Sequence, residues 1–167
     1  MCQIQMEHQS EDSEMNQHTG YSFDHLKRKT LILDSVIDHN TTTFDVTLVE
    51  DFILDKTCDV YLDSFTTFDA QINTTANFMA FLIGFDQLNI KNSTNTAGLK
   101  DKLVIPNDAT ALTTTKVHKG KKYNFLCTVQ PTILKQISGT ITNLAGAASF
   151  PDGDGRFIME LLFVNRD

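Results

Sequence analysis

Apolar and polar residues alternate with a period of two along most of the chain after residue 27. Phe44–Leu48 and Cys58–Asp63 are the clearest examples, with Asp or Thr between apolar side chains. Successive side chains of a strand point to opposite faces, so this pattern predicts strands with one buried face. Phe78–Leu88 is instead nearly continuously apolar, which predicts a central strand buried on both sides, and Gly84 within it predicts a β-bulge.

Clusters of turn-forming residues separate these segments, and none shows sustained helical periodicity. Asp38-His39-Asn40, Pro106-Asn107, Lys119-Gly120-Lys121 and Pro151–Gly155 are the strongest turn signals. The predicted strands lie at Lys29–Asp38, Phe44–Leu48 with Phe52–Leu54, Cys58–Phe68, Phe78–Leu88, Leu103–Ile105, Thr114–His118, Tyr123–Val129, a segment with Ile133, Ile137 and Ile141 on one face, and Phe157–Val164.

This spacing of short strands predicts an all-β protein, a single jelly-roll β-sandwich with eight main strands in two sheets. The structural rival is an immunoglobulin-like sandwich, which normally carries a Trp on a central strand, and this chain has no Trp. Residues 1–24 are polar without useful periodicity and predict a flexible N-terminal arm, which orders against a neighbour. Residues 25–167 are expected to form the jelly-roll domain.

Charge and composition narrow the possible partners. The net charge is −7, with acidic residues spread through the strands, so direct binding to nucleic acid is not expected. No secretory signal and no membrane span are predicted. Cys58 and Cys127 lie in apolar strand patterns and are expected in the core, and with Cys2 they predict a reducing compartment. The sequons at Asn40, Asn73 and Asn92 are interpreted as parts of polar loops.

The sequence predicts no catalytic site, no metal site and no cofactor. The histidines and cysteines show no spacing typical of metal ligands, which also disfavours an enzyme of the cupin type. Asp59 and Asp63 share a strand face but are separated by roughly 13 Å, too far for a retaining or inverting carboxylate pair. The acidic segment Asp152–Gly155 is interpreted as a turn, since a calcium loop needs further oxygen ligands.

One basic cluster stands out against the acidic background. Its members are Lys116, His118, Lys119, Lys121 and Lys122. Charged turns usually face water, and this is the favoured interpretation. The cluster is also a candidate assembly contact, as are the loops at 89–101 and 106–114.

Five segments resemble the small single jelly-roll capsid proteins of large icosahedral double-stranded DNA viruses, the group that includes algal giant viruses. They are Asp59–Thr67, Leu103–Asn107, Val117–Lys122, Ile137–Thr142 and Arg156–Glu160, and the likeness covers roughly residues 27–167. The resemblance implies a penton subunit that forms homo-pentamers at the fivefold vertices, or a minor capsid protein beneath the shell. It also implies a double jelly-roll major capsid protein and other minor capsid proteins as partners, a place in the virion and assembly in the host cytoplasm.

The remaining alternatives belong to other classes. A carbohydrate- or ligand-binding jelly roll would expose aromatic platforms, whereas most Phe residues here fall on core-like positions. A signalling trimer of similar fold would have a signal peptide or a membrane anchor, and the sequence predicts neither.

Overall fold

The computed structural model describes residues 27–118, 124–150 and 155–166, so the predicted arm, the turn at 119–121 and Asp152 and Asp154 lie outside the described residues. The described chain contains nine strands, with short 3-10 turns at Ala76–Phe78 and Ala97–Leu99 and no α-helix. The strands are β1 Arg28–Ile37, β2 Thr43–Leu54, β3 Cys58–Phe68, β4 Ala80–Phe85, β5 Leu103–Pro106, β6 Thr115–Val117, β7 Asn124–Val129, β8 Thr132–Thr142 and β9 Gly155–Asn165.

The strands form two antiparallel sheets with the connectivity of a jelly roll. The first sheet has the order β1-β9-β3-β6, with β7 also paired to β3, and the second has the order β2-β8-β4-β5. Strands β6 and β7 pair with different parts of β3 and thereby share one strand position. The eight strand positions in two sheets confirm the predicted jelly-roll β-sandwich.

Phenylalanine rings from both sheets fill the space between them. Phe44 of the second sheet meets Phe157 of the first at 5.3 Å between centroids, and Phe65 meets Phe81 at 5.4 Å, both edge to face. Such pairs add to the free energy of folding beyond the apolar area that they bury. The aromatic layer explains how a chain without Trp fills the interior of its sandwich.

The alternation of buried and exposed side chains that the sequence predicts is observed where neighbouring strands pair without a register shift. Cys58, Val60 and Leu62 are buried in β3, while Asp63 is exposed. β4 is buried throughout apart from half-buried Phe85, and it lies between β8 and β5, which confirms the central strand.

Register shifts reverse the prediction at two apolar residues. Ile133 was expected on the buried face of β8 and is exposed, and Phe125 was expected on the buried face of β7 and is exposed. The pairing of β2 with β8 shifts between Thr47 and Phe52, and that of β3 with β7 shifts between Val60 and Tyr61. Both shifts are by an odd number of residues, which turns the following side chains to the other face because side chains alternate along a strand.

The predicted bulge at Gly84 is also wrong. The pairing of β4 with β8 runs through Gly84 without a register shift. The absence of a side chain instead permits close approach, because a Cβ on Gly139 of β8 would lie 2.0 Å from the Gly84 carbonyl oxygen. The Lys102 side chain crosses the same place and its Nζ donates to Thr140 Oγ1 at 2.7 Å.

Candidate assembly surface

The structure divides the predicted basic cluster. Lys116 lies half-buried in β6, the short strand at one edge of the first sheet. His118 follows β6 and is buried, so its interpretation as part of a solvated basic turn is wrong. Lys119, Lys121 and Lys122 lie outside the described residues.

His118 joins three parts of the chain through both ring nitrogens. The backbone N–H of Asp108 donates to Nδ1 at 3.0 Å. Nε2 therefore carries the proton and donates to Thr67 Oγ1, at 2.7 Å. The ring is thus a neutral tautomer that ties the segment after β5 to the end of β3.

Aromatic rings complete the surroundings of His118 and keep it neutral. The rings of Phe81 and Phe65 lie 4.8 Å and 5.6 Å from the imidazole, between centroids. Burial lowers the pKa of His118 to about 4, helped by the charge of Lys116 and opposed by that of Asp108. Proton uptake at Nδ1 would also remove the acceptor for the Asp108 N–H. His118 therefore stabilises the edge of the sandwich where the basic segment begins.

Asn107 holds two loops together at the same end of the sandwich. Its side-chain amide donates to the carbonyls of Gln71 and Phe78 at 2.8 and 2.9 Å, and its Oδ1 accepts the Ala109 N–H at 2.9 Å. Asn73 in turn donates to the Asn107 carbonyl at 2.9 Å. A buried amide with its groups satisfied in this way fixes the loops at 69–79 and 106–114 relative to each other.

Asn143 performs the same task in the loop that follows β8. It is buried, and its Oδ1 accepts the N–H groups of Ala145 and Ala147 at 2.8 and 3.0 Å. This loop joins the others, since the N–H of Gln71 donates to Ser149 and that of Leu144 to Asn77. We call the segments 38–42, 69–79, 106–114 and 143–150 the loop end; the first belongs to it through Asn40, whose N–H donates to the Phe150 carbonyl.

The two loops predicted as assembly contacts do not lie together. The loop at 106–114 belongs to the loop end, on the side from which the chain enters β4 at Ala80. The loop at 89–101 follows the other end of β4, after Phe85. Within it Asn92 holds the turn, donating to the carbonyls of Leu99 and Lys102 at 3.0 and 2.8 Å. The three sequon residues, Asn40, Asn73 and Asn92, all lie in loops.

The outer face of the first sheet carries a surface feature that the sequence analysis missed. Apolar side chains from every strand of that sheet face outward, namely Ile32, Val36, Phe68, Val117, Phe125 and Ile158. Phe125 packs edge to face on Tyr61 of the neighbouring strand, at 5.7 Å between ring centroids. The available signal was apolar residues in both phases of the alternation, as at Leu31 and Ile32. Exposed apolar patches of this kind are typical of contact surfaces.

Two carboxylates on the same outer face form ion pairs with arginines. The Arg156 guanidinium binds both carboxylate oxygens of Asp34, with 2.7 Å between Nε and Oδ1, and this hydrogen bonding lowers the pKa of Asp34. Asp59 accepts from Thr128 Oγ1 at 2.7 Å and pairs with Arg166, and both contacts lower its pKa, Thr128 the more strongly. Asp59 therefore links β3 to Thr128 of β7, at the edge of the sheet, and to Arg166 after β9.

The two cysteines among the described residues are part of the core. Cys58 and Cys127 are buried free thiols, as predicted, and burial raises the pKa of Cys58 and raises that of Cys127 to about 11. In the described ranges, no three His, Cys, Asp or Glu residues are grouped so as to hold a metal ion. No helix among the described residues is long and apolar enough to cross a membrane.

Comparison with known proteins gives weak structural similarity alone. No family model and no curated protein matches the sequence. A chain in the structure of black queen cell virus is similar with 8% sequence identity and a TM-score of 0.32, over 100% of this chain and 85% of that chain. At that TM-score the similarity carries no argument about function.

Proposed function

We propose that this chain is a structural subunit of the capsid of a large icosahedral double-stranded DNA virus. In this proposal it forms homo-pentamers at the fivefold vertices as the penton subunit, beside a double jelly-roll major capsid protein and other minor capsid proteins. It resides in the virion and assembles in the host cytoplasm. It acts without catalysis, cofactor, membrane span or direct contact with nucleic acid.

The observation that carries the proposal is the connectivity of the sandwich. Two sheets ordered β1-β9-β3-β6 and β2-β8-β4-β5 form a single jelly roll, the architecture of many viral capsid subunits. Lectin domains and cupins share that architecture, so the fold alone does not select a function. The resemblance of the five strand and turn segments to small jelly-roll capsid proteins favours a capsid function over these alternatives.

The loop end supports a role in assembly through its rigidity. Buried Asn107 and Asn143 fix neighbouring loops by hydrogen bonds within the chain, so these loops are ordered without a partner subunit. A surface whose loops are already ordered loses less conformational entropy when it binds. A closed ring also requires two different contact surfaces on each subunit, and exposed apolar residues lie on the outer faces of both sheets. In the proposed ring, Lys116 at the sheet edge meets an acidic neighbour, while buried His118 supports that edge from within.

Cryo-electron microscopy of purified particles tests the location of the chain. Five copies closing each vertex would agree with the penton role, and density only beneath the shell would assign the chain to the minor capsid proteins. If the chain is absent from particles, the capsid proposal fails. Glycan binding that is lost on a Tyr61 substitution would then favour a carbohydrate-binding module.

Native mass spectrometry of the full chain tests self-assembly separately. We expect a species of five times the 18.7 kDa chain mass. Lys116→Glu should lower its fraction and its salt sensitivity, because charge at an interface edge mainly alters association rate and salt dependence. Lys56→Glu is the control, since Lys56 is an exposed lysine in the turn between β2 and β3, outside the candidate contacts. Equal effects of both substitutions would exclude Lys116 from the contact.

A further inference from the structure

The edge of the first sheet at β6 is anchored by the residue that follows it. β6 has three residues, which pair with Thr66–Phe68 of β3. His118 comes directly after β6, and its backbone N–H donates to the Phe65 carbonyl at 2.9 Å. Short edge elements with few contacts open first in native proteins. The attachment of this strand to the sandwich therefore depends strongly on the buried His118 ring.

The His118 ring uses both nitrogens to hold this part of the chain closed. Nε2 donates to Thr67 Oγ1 at 2.7 Å, and Nδ1 accepts the Asp108 N–H at 3.0 Å. An imidazolium donates at both nitrogens and accepts at neither. Proton uptake at Nδ1 would therefore bring two N–H groups face to face and remove the contact with Asp108. The closed arrangement fits only the neutral ring.

The groups around the ring disfavour its charged form on balance. β3 and β4 face it with the uncharged rings of Phe65 and Phe81. Burial is the main reason that the pKa of His118 is lowered to about 4. The charge of Asp108 and the Pro106 carbonyl raise this pKa, and the charge of Lys116 on β6 lowers it further. A histidine in water has a pKa of about 6.5, so a proton favours release of the ring from the core.

Part of the loop after β5 is attached independently of the ring. The N–H of Asn107 donates to the Met79 carbonyl at 2.9 Å, and that of Ala109 donates to Asn107 Oδ1 at 2.9 Å. No group in these two bonds titrates. Further along, the Thr113 N–H donates to Asp69 Oδ1 at 3.1 Å. The chain up to Ala109 therefore stays attached when the ring leaves, and the Asp69 carboxylate is the second acid-sensitive contact to be tested.

We propose that residues 110–118, the latch segment, open when the His118 ring takes up a proton, while the rest of the sandwich stays folded. Opening uncovers the sides of the Phe65 and Phe81 rings that face the imidazole, and it leaves Thr66–Phe68 without β6 as a neighbour. An unpaired strand edge is a template for another strand. Acid therefore gives the protein a contact surface that the closed form lacks. This inference does not depend on a capsid function.

Native-state hydrogen exchange, measured by NMR at pH 7 and pH 5 with small additions of urea, tests the opening. The amides of Asp108 and His118 report the latch segment, and the amide of Ile141 in β8 reports global unfolding. Protection factors, the ratios of intrinsic to observed exchange rate, should fall about 20-fold from pH 7 to pH 5 at Asp108 and His118, because the open ring titrates near 6.5 and the closed ring near 4. Local opening exposes little surface, so their exchange at pH 5 should be insensitive to urea, unlike that of Ile141. The Asn107 amide should stay better protected than that of Asp108.

Variants identify the group that titrates. His118→Gln should abolish the pH response of the Asp108 amide. Asp69→Asn is the matched control, because it removes the carboxylate beside Thr113, keeps an acceptor and suits the positive φ of this residue. It should keep the full pH response. Lys116→Gln should reduce the response, because the charge of Lys116 contributes to the low pKa of the closed ring.

Titration of the ring nitrogens in the unsubstituted chain decides the question even if His118→Gln does not fold. The ring signals should show the neutral Nε2–H tautomer at pH 7 and the imidazolium only in step with the loss of amide protection. An imidazolium with the Asp108 and His118 amides still protected would overturn the proposal. So would urea dependence at these amides equal to that of Ile141, a pH response unchanged in His118→Gln, or its loss in Asp69→Asn.

Discussion

The outer faces of the two sheets differ although their inner faces are alike. The inner faces contribute Phe, Leu and Ile to one shared core. Outside, exposed apolar residues occur in every strand of the first sheet. In the second sheet they occur at Val49, Ile53, Val104 and Ile133, and the paired stretch of β2 and β8 at its other end is polar, with Thr43, Asp45, Thr47, Gln136, Ser138 and Thr140. The first sheet thus presents apolar residues across its whole width, whereas the second combines an apolar region with a polar one. The fold needs only the inner faces, so the outer faces are free to carry function.

The largest expected effect concerns the backbone of the second sheet. Gly139→Ala should destabilise the protein by about 3 kcal/mol, because its Cβ would collide with the Gly84 carbonyl and separate β8 from β4. Chemical denaturation measures this change. Gly98→Ala is the matched control, since a Cβ there meets nothing within 4 Å, and it should change stability by less than about 0.5 kcal/mol. A similar small change at Gly139 would contradict the close approach of the strands.

An intermediate effect is expected where the two sheets meet at His118. Its folded-state pKa of about 4 lies below the unfolded value of about 6.5. The unfolded chain therefore binds the proton first, so the contribution to stability is complete above pH 6.5 and is lost as the pH falls toward 4. We expect about 2 kcal/mol of this pH dependence, measured by denaturation at several pH values.

The same experiment on variants isolates the histidine. His118→Gln should remove that part of the pH dependence, whereas His39→Gln, at an exposed turn residue, controls for the loss of a histidine. An unchanged pH profile in His118→Gln would mean that carboxylates alone cause the acid sensitivity.

The smallest effect on stability is expected at the outer faces themselves. Ile158 in the first sheet and Val104 in the second are 38% and 39% exposed, which makes them a matched pair. Ile158→Thr and Val104→Thr should each change the free energy of unfolding by less than about 0.5 kcal/mol. A loss above about 1 kcal/mol for Ile158→Thr alone would show that the outer face of the first sheet contributes to folding.

Sequence reasoning located the strands well because strand formation depends on local pattern. β1, β3, β5 and β9 lie within one or two residues of their predicted positions, and the buried phase in β3 was predicted correctly. Prediction failed at Phe125 and Ile133, where register shifts exchange the two faces. Such shifts depend on the partner strand, which a local pattern does not contain.

The candidate surface was predicted less completely. Lys116 lies half-buried in β6, and neighbouring His118 is buried in the core rather than in a solvated turn. A histidine beside lysines looks solvated in the sequence, and its true partners are distant: Thr67 is 51 residues away and Asp108 is ten residues away. The hydrogen bonds that join the loops at Asn107 and Asn143 were equally invisible, because Asn residues in loops usually indicate turns alone.

The sequence by itself determined that this protein is a β-sandwich with free thiols in its core, because alternation and composition act locally. The tertiary structure alone decided which apolar residues face outward, which histidine is buried and which loops meet. These properties depend on which strands pair and in which register, and such choices are made between residues far apart in the chain. The apolar outer face of the first sheet is the clearest case, since Val36, Ile158, Phe68 and Val117 become neighbours only when four strands assemble.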